Sequence, residues 1–392
     1  MTKKTNAASF WQEHRAALLV LLAAAVIFAA VRAWAAPEKT EAALEGDYAE
    51  YETGRVVQIL SDSSEPDERF DGVWRGEQLM TVELLSGQYK GEEHLVTNYV
   101  GPLNGNLPLK EGEKCTVTVN TYASGEVMVN VFENDRSTPL LIVLAVFLIV
   151  TVLVGGKTGA KSLLGLVFTV LCVFLLLFPA LLKGAPTLPA TFLLCAYVAA
   201  VSFVLLGGVR KKTVCAFLGS VAGMALALVF ALIAQRILRV DGMHSPDADE
   251  LLRLLEMDVP IRVNGLLAAG VILSSLGAVM DVAMSLSSAL GEVHAADPKL
   301  DTRALFRSGM NIGRDMIGTM TNTLILAFLG SGLMVTLAIY THNYDPRILI
   351  SSKYLSIEVM TAVSSSIGVI LSVPLTALIC AFAYGGMREK KA

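Results

Sequence analysis

Apolar runs long enough to cross a bilayer alternate with short polar turns along most of this chain, and one long polar stretch interrupts them near the start. The runs are Ala16–Ala36, Pro139–Val154, Ser162–Leu182, Thr191–Gly207, Thr213–Leu238, Asn264–Leu290, Met316–Tyr340 and Glu358–Tyr384. A hydrocarbon core of about 30 Å takes roughly 20 helical residues, which all but the second run approach or exceed. That second run reaches the length only by extending through Gly155-Gly156. The pattern predicts an α-helical polytopic membrane protein with about eight transmembrane helices.

The polar stretch, Glu38–Thr138, is too long to be a simple loop and alternates with the period of two that a half-buried strand requires. Arg55–Leu60, Gln78–Leu85, Glu93–Tyr99, Lys114–Tyr122 and Glu126–Phe132 read as strands, with turns at Ser86-Gly87, Asn104-Gly105 and Ser124-Gly125. The last of these turns joins two alternating segments as a hairpin. A small all-β domain follows, either an OB-like barrel or a sandwich. The expected organisation is therefore an N-terminal segment and anchor at 1–36, a β-domain at 37–138, and a seven-helix domain at 139–392. Ala33-Trp34-Ala35 has the form of a signal-peptide cleavage site, but Arg32 and Trp34 read better as interfacial residues of a retained anchor.

Composition agrees, with 54% hydrophobic residues against the roughly 45–50% of soluble domains. The net charge of −4 carries no message because the charges are segregated along the chain. With an inside N-terminus, Lys157, Lys161, Arg210, Lys211, Lys212, Lys299, Arg303, Arg307, Arg314, Arg388, Lys390 and Lys391 all fall on one side. The positive-inside rule then places both termini in the cytoplasm and the β-domain outside a bacterial plasma membrane. Of the five cysteines only Cys115 lies in the polar stretch, so that part has no internal disulfide.

Several chemistries find no support. Gly156-Lys157-Thr158 lacks the first glycine of a phosphate-binding loop, since position 151 is Thr151. The five histidines are scattered, with no H-E-x-x-H, no CxxC pair and no nucleophile elbow. No cofactor, metal or nucleic-acid partner is expected. Gly219, Gly223 and Ala227, and again Gly309 and Gly313, form small-xxx-small ridges that let helix backbones approach closely. Asp247–Met257 reads as a short amphipathic helix on the outer interface. Pro374 is expected to kink the last span.

The chemically informative part is Gly277–Phe328, where polar residues recur inside apolar runs. Asp281, Ser285, Ser288 and Glu292 share one face of the sixth span, and Arg307, Asn311, Asp315 and Asn322 repeat nearly the same spacing on the seventh, beside Arg314. The last span adds Thr361, Ser365, Gly368, Ser372 and Thr376 at the same spacing. An ionisable group at membrane depth costs about 2.5–3.5 kcal/mol or more, so such residues normally face a bundle interior or a watery cavity. Counting helical rise from Leu266 and from the start of the seventh span puts Asp281 within reach of Asn322. The stripes predict a polar site, against the alternative of a buried cluster that only fixes helix register.

The block Gly277–Phe328, with Asp281, Gly313-Arg314-Asp315 and Thr321-Asn322-Thr323, resembles the bacterial YibE/F-like family, and the resemblance extends from the β-insert to the last span. It implies a multi-pass membrane protein with an extracytoplasmic N-terminal region and brings no settled activity. Two functions are compatible with the residues. One is a secondary transporter or exporter of a small solute or ion, using an ion gradient because the chain has no ATP-binding motif. The other is a membrane scaffold or envelope-stress component whose β-domain binds an envelope protein or a second family member.

Overall fold

In the computed structural model the described residues are 7–35, 50–102, 106–122, 127–241, 260–341, 347 and 350–385. The amphipathic segment expected at 247–257 lies outside them, as do the glycine turns at 104–105 and 124–125. The chain divides into two compact units, one of residues 37–153 and one of 1–36 with 154–392.

The first unit holds a single six-stranded sheet made of β1 (Glu50–Asp62), β2 (Glu65–Pro66), β3 (Trp74–Leu84), β4 (Glu93–Val100), β5 (Lys114–Thr121) and β6 (Val127–Asn134), together with the first turns of the helix that starts at Ser137. The order is β2-β3-β1-β5-β6, with β4 on β3, and every pairing between these strands is antiparallel. One continuous sheet curled into a half-barrel replaces the sandwich alternative. Register shifts between Val56 and Gln58 and between Ile59 and Ser61 mark bulges in β1, which add the curvature a barrel needs. Alternation does what the sequence predicts. Met80, Val82 and Leu84 of β3 and Cys115, Val117 and Val119 of β5 point inward with Val56, Val96, Leu109 and Val129. β2, at two residues, is too short to carry any periodic signal.

A polar network lies in this apolar interior. Gln78, 1% exposed, donates from Nε2 to Asp62 Oδ2 (2.9 Å) and to the Leu109 carbonyl (3.0 Å). Its Oε1 accepts from the Leu109 N–H (2.8 Å) and from Asn98 Nδ2 (3.1 Å). Asn134 ties down the same loop by accepting from the Leu107 N–H (2.9 Å) and donating to the Leu107 carbonyl (3.2 Å). The segment between β4 and β5 is thereby fastened across strands β3, β4 and β6. The Ser64 hydroxyl, donating to Asp62, holds its carboxyl below the usual carboxylate range against the opposing effect of burial, and the Gln78 amide and the Ser64 N–H add smaller pulls in the same direction. Burial pushes the Cys115 thiol up to about 12, so it behaves as a small apolar group.

The helical part comprises α1 (Ala7–Ala35), α2 (Ser137–Cys172), a π turn at Val173–Leu177, α3 (Phe178–Leu182), α4 (Thr187–Gly207), α5 (Lys211–Leu238), α6 (Leu266–Ala296), α7 (Thr302–Ser331), α8 (Leu333–Thr341) and α9 (Lys353–Tyr384). Among the described residues six helical runs are long and apolar enough to cross a membrane: α1, the 46-residue run Ser137–Leu182, α4, α5, α6 and α9. The runs expected as separate second and third spans are joined end to end in Ser137–Leu182. Gly156, at φ 55° and ψ −136°, breaks the helical path between them. The π turn has a plain cause, because Pro179 has no N–H to give the carbonyl four residues earlier. The seventh expected span is α7 followed by α8, separated at Gly332, and its polar residues keep α7 out of the apolar set. α9 continues through Pro374 as one helix.

α6 sits at the centre of the packed helices. Its buried face includes Val271, Ile272, Leu276, Val279, Val282, Ala283, Leu286 and Leu290, which share a core with residues of α4, α5 and α9. Both small-residue ridges press on α9. A Cβ on Gly223 of α5 would sit 2.7 Å from Ser372 Cβ and 3.1 Å from the Gly368 carbonyl oxygen. One on Gly309 of α7 would sit 2.9 Å from Ala377 Cβ. Van der Waals packing of this closeness is what holds helices together where the surroundings are as apolar as the side chains. α1 is fastened by Tyr197 OH donating to the Ala24 carbonyl (2.6 Å) and Lys183 Nζ donating to the Trp34 carbonyl (2.8 Å).

Candidate functional site

The two polar stripes are brought side by side by a tight turn. α6 ends at Ala296, Asp297 Oδ1 accepts from the Lys299 N–H (3.0 Å), and Asp301 caps α7 by accepting from the Ala304 N–H (2.8 Å). An acceptor side chain at the N-cap satisfies one of the free N–H groups of a helix start. The Asp-Pro-Lys-Leu-Asp sequence thus closes a short helical hairpin.

Asp281 is the middle residue of α6, fifteen residues from Leu266 and fifteen from Ala296. At 1.5 Å per residue that is about 22 Å from either end. Asp281, Ser285 and Glu292 are exposed and Ser288 is half-buried, on the side of α6 opposite its core-facing residues. α7 is arranged in the same way. Leu305, Gly309 and Gly313 are buried, whereas Arg307, Asn311, Arg314, Asp315 and Asn322 are exposed on the opposite side. Arg314 Nη1 donates to Asn311 Oδ1 (3.4 Å) within the helix. Among the described residues no hydrogen bond or ion pair joins the α6 stripe to the α7 stripe, so the expected meeting of Asp281 with Asn322 is not made. Each stripe is a polar face that the other described helices leave largely exposed.

The third stripe is placed differently. Ser365, Gly368, Ser372 and Thr376 of α9 are all buried. Ser372 and Thr376 fill the space beside Gly223 and Gly219, and the Ser372 hydroxyl donates to the Val369 carbonyl of its own helix (2.7 Å). Ser365 shares a hydrogen bond with Ser274 of α6 (2.9 Å). The α9 stripe is therefore the seam between α9 and its neighbours α5 and α6.

Sequence reasoning passed over a set of buried hydroxyls. Ser220 of α5 and Ser364 and Ser366 of α9 are at most 3% exposed, and their hydroxyl oxygens have no hydrogen-bond partner among the described residues. Ser287 of α6 donates to the Lys212 carbonyl (2.6 Å). The consecutive Ser364-Ser365-Ser366 within an apolar run was the available signal. Among the described residues no group of three or more His, Cys, Asp or Glu side chains is placed to hold a metal ion.

The family model for YibE/F-like proteins matches residues 143–386, which takes in both polar stripes and all of α3 to α9. The β-sheet lies before the matched range, so the resemblance is shown for the helical part and not for the β-insert. No curated protein and no solved structure matches the chain.

Proposed function

From a chain that belongs to the YibE/F-like family, we propose a secondary transporter or exporter that moves a small solute or ion across the bacterial plasma membrane. The observation that carries the reading is Asp281, at the midpoint of α6 on a polar face that the described helices leave exposed. A carboxylate at that depth is too costly to leave against lipid, so the face has to line a path that water or solute enters. Asp315 on α7 is the second carboxylate of the path, with Ser285, Ser288, Asn311 and Asn322 as uncharged hydrogen-bonding groups along it. Alternate protonation or cation binding at Asp281 gives the coupling step that an ion-driven carrier needs.

Eight crossings accommodate this arrangement. At 1.5 Å per residue the 46-residue run Ser137–Leu182 is about 69 Å long, enough for two crossings about Gly156. The α7–α8 pair supplies another, its polar face being the reason it does not qualify by apolarity alone. The distribution of basic residues supports an orientation with both termini inside and the β-unit outside. Its strand order, with β2 and β4 both on β3 at one edge and β6 at the other, supports a partly open OB-type barrel. A reporter active only in the cytoplasm is expected to be active after Ala392 and silent after Ser137, and activity after Ser137 would reverse the orientation.

The decisive measurement is solute flux and internal pH change in proteoliposomes carrying the full chain. Asp281→Asn keeps nearly the same shape and hydrogen bonding but removes the charge, and is expected to lower flux by roughly an order of magnitude or more if Asp281 carries the coupling ion. Asp315→Asn is expected to give a smaller loss. If both variants fold and complement a deletion strain as well as the wild type, the carboxylates are structural and the transport reading fails. A second reading, a scaffold that binds a partner through the β-unit, draws on the separate compact core of that unit.

A further inference from the structure

The exposed sides of α6 and α7 carry opposite charges. α6 contains no Lys or Arg, and its exposed ionisable residues are Asp281 and Glu292. α7 exposes Arg303, Arg307 and Arg314 against a single acid, Asp315. Among the described residues Asp281, Glu292 and Arg307 make no ion pair. The charges also match in depth. Counted from the hairpin end of each helix at about 1.5 Å per residue, Glu292 lies about 6 Å along α6 and Arg307 about 8 Å along α7. By the same count Asp281 lies at about 22 Å and Arg314 at about 18 Å, a difference that a long arginine side chain spans.

A second observation concerns glycine. Gly219, Gly223, Gly309 and Gly313 each face a neighbouring helix so closely that an added Cβ would collide with it. Gly277, one turn from Asp281 on α6, and Gly318, one turn from Arg314 on α7, are exposed and have nothing within 4 Å of an added Cβ. Glycine inside a helix is unfavourable relative to alanine, and in a membrane the close approach of another helix offsets that cost. No described helix of the same chain makes that approach at Gly277 or Gly318.

We propose that a second copy of this chain covers the α6–α7 face, in a two-fold dimer whose axis runs along the membrane normal. Such an axis keeps every residue at its own depth and sets α6 of each copy against α7 of the other, so each contact is made twice. Glu292 then faces Arg307 of the partner subunit, and Asp281 shares its stretch of the interface with Arg314 of the partner subunit. The choice of a second copy follows from the charges. One stripe is acidic and the other mainly basic at matched depths, so the face is complementary to itself, whereas a partner of single sign leaves one stripe unpaired. A polar path between two copies rests on the transport reading; the dimer itself rests only on the face.

The test is the stoichiometry of the full chain in lipid bilayers, read from photobleaching steps with one fluorophore per chain at low density. The wild type is expected to bleach mostly in two steps. Glu292→Arg sets Arg against Arg across the axis and Arg307→Glu sets Glu against Glu, so each alone is expected to lower the dimerisation constant about tenfold or more. Mixing the two variants restores both contacts, because each copy supplies the charge the other lacks, and mixed dimers are expected at the wild-type yield. A defect confined to one chain is not repaired by mixing. Single-step bleaching of the wild type, undiminished dimers in the single variants, or no recovery in the mixture overturns the proposal. Should a charge variant not fold, Gly277→Leu decides: its side chain enters space its own chain leaves open, so a folded monomer is expected, and a wild-type dimer fraction overturns the interface. Flux in proteoliposomes separates the two readings. A wild-type dimer without flux fails the transport reading alone, and flux from a monomeric wild type fails the dimer alone.

Discussion

Gly223→Leu is expected to leave no folded protein in the membrane, and Gly223→Ala to lower the thermal midpoint of the solubilised protein by several degrees. At this point on α5 even one added carbon would lie 2.7 Å from Ser372 Cβ, 3.0 Å from Val279 Cγ1 and 3.1 Å from the Gly368 carbonyl oxygen. The carbonyl belongs to the backbone of α9 and cannot rotate away, so α5 has to retreat along its contact with α9. Overpacking of this kind costs about 1–3 kcal/mol for a small addition, and each kcal/mol moves the midpoint by roughly 2–4 °C in a protein of 150–250 residues. A leucine cannot be housed by such a retreat. Gly270→Ala is the matched control, because the corresponding space on α6 is open. It is expected to be neutral or stabilising by up to about 1 kcal/mol, the helix-propensity difference between the two residues. Gel filtration of a fluorescently tagged protein after heating measures all three. If Gly223→Ala melts with the wild type, the helices are not in the contact described.

Gln78→Ala is expected to destabilise the β-unit by about 2–4 kcal/mol, because it strands several buried groups at once. The buried Leu109 N–H and carbonyl lose their side-chain partner, the Asn98 amide keeps only the Leu107 carbonyl, and the exposed Asp62 carboxylate loses one donor. Urea unfolding of a soluble Glu50–Arg136 segment, followed by circular dichroism, gives the difference directly. The wild-type segment should unfold cooperatively with the same midpoint with and without reductant, since Cys115 is its one cysteine and is free. Its pH dependence has a fixed sign. Asp62 is held below its usual value in the folded state, so its contribution is present above the unfolded carboxylate pKa of about 3.9 and is lost as pH falls from there through the folded value. Asp62→Asn should therefore flatten part of the stability loss on acidification. An unchanged midpoint for Gln78→Ala would mean that water replaces the amide at no cost.

Much of this architecture can be read from residue order, and the places where it cannot are instructive. Strands β3 to β6 announce themselves because one face is buried and the other is not, and the glycine ridges do so because only close helix contact explains their spacing. Gln78 escaped notice since a polar residue at the head of a strand looks like an edge, and its burial depends on a loop some thirty residues away. The polar residues of α6 and α7 share a face by helical spacing alone. Which way they face is another matter, because periodicity fixes the angle between residues on one helix and says nothing about where the neighbouring helices stand. The α9 stripe has the same spacing as the α6 stripe, yet one is a buried seam and the other an open face. Ser274 and Ser287 were invisible for a related reason. A serine in an apolar run looks like filler until its partner on another helix is known.

The seam between α5 and α9 is built from residues with almost no rotamers to lose. Gly219, Gly223 and Ala227 meet Thr376, Ser372 and Gly368, so closing the contact freezes very little side-chain entropy. The same economy makes neighbouring alignments resemble one another. If α9 slid by four residues, small would again oppose small, and packing would distinguish the two positions only weakly. What selects the observed alignment is α6, which grips both partners by hydroxyls thirteen positions apart: Ser287 holds the Lys212 carbonyl at the head of α5, and Ser274 holds Ser365 on α9. Interhelical hydrogen bonds in membranes average only about 0.6 kcal/mol each. Acting together on one helix, these two work like the marks on a ruler, setting the relative height of two surfaces that would otherwise be free to slide.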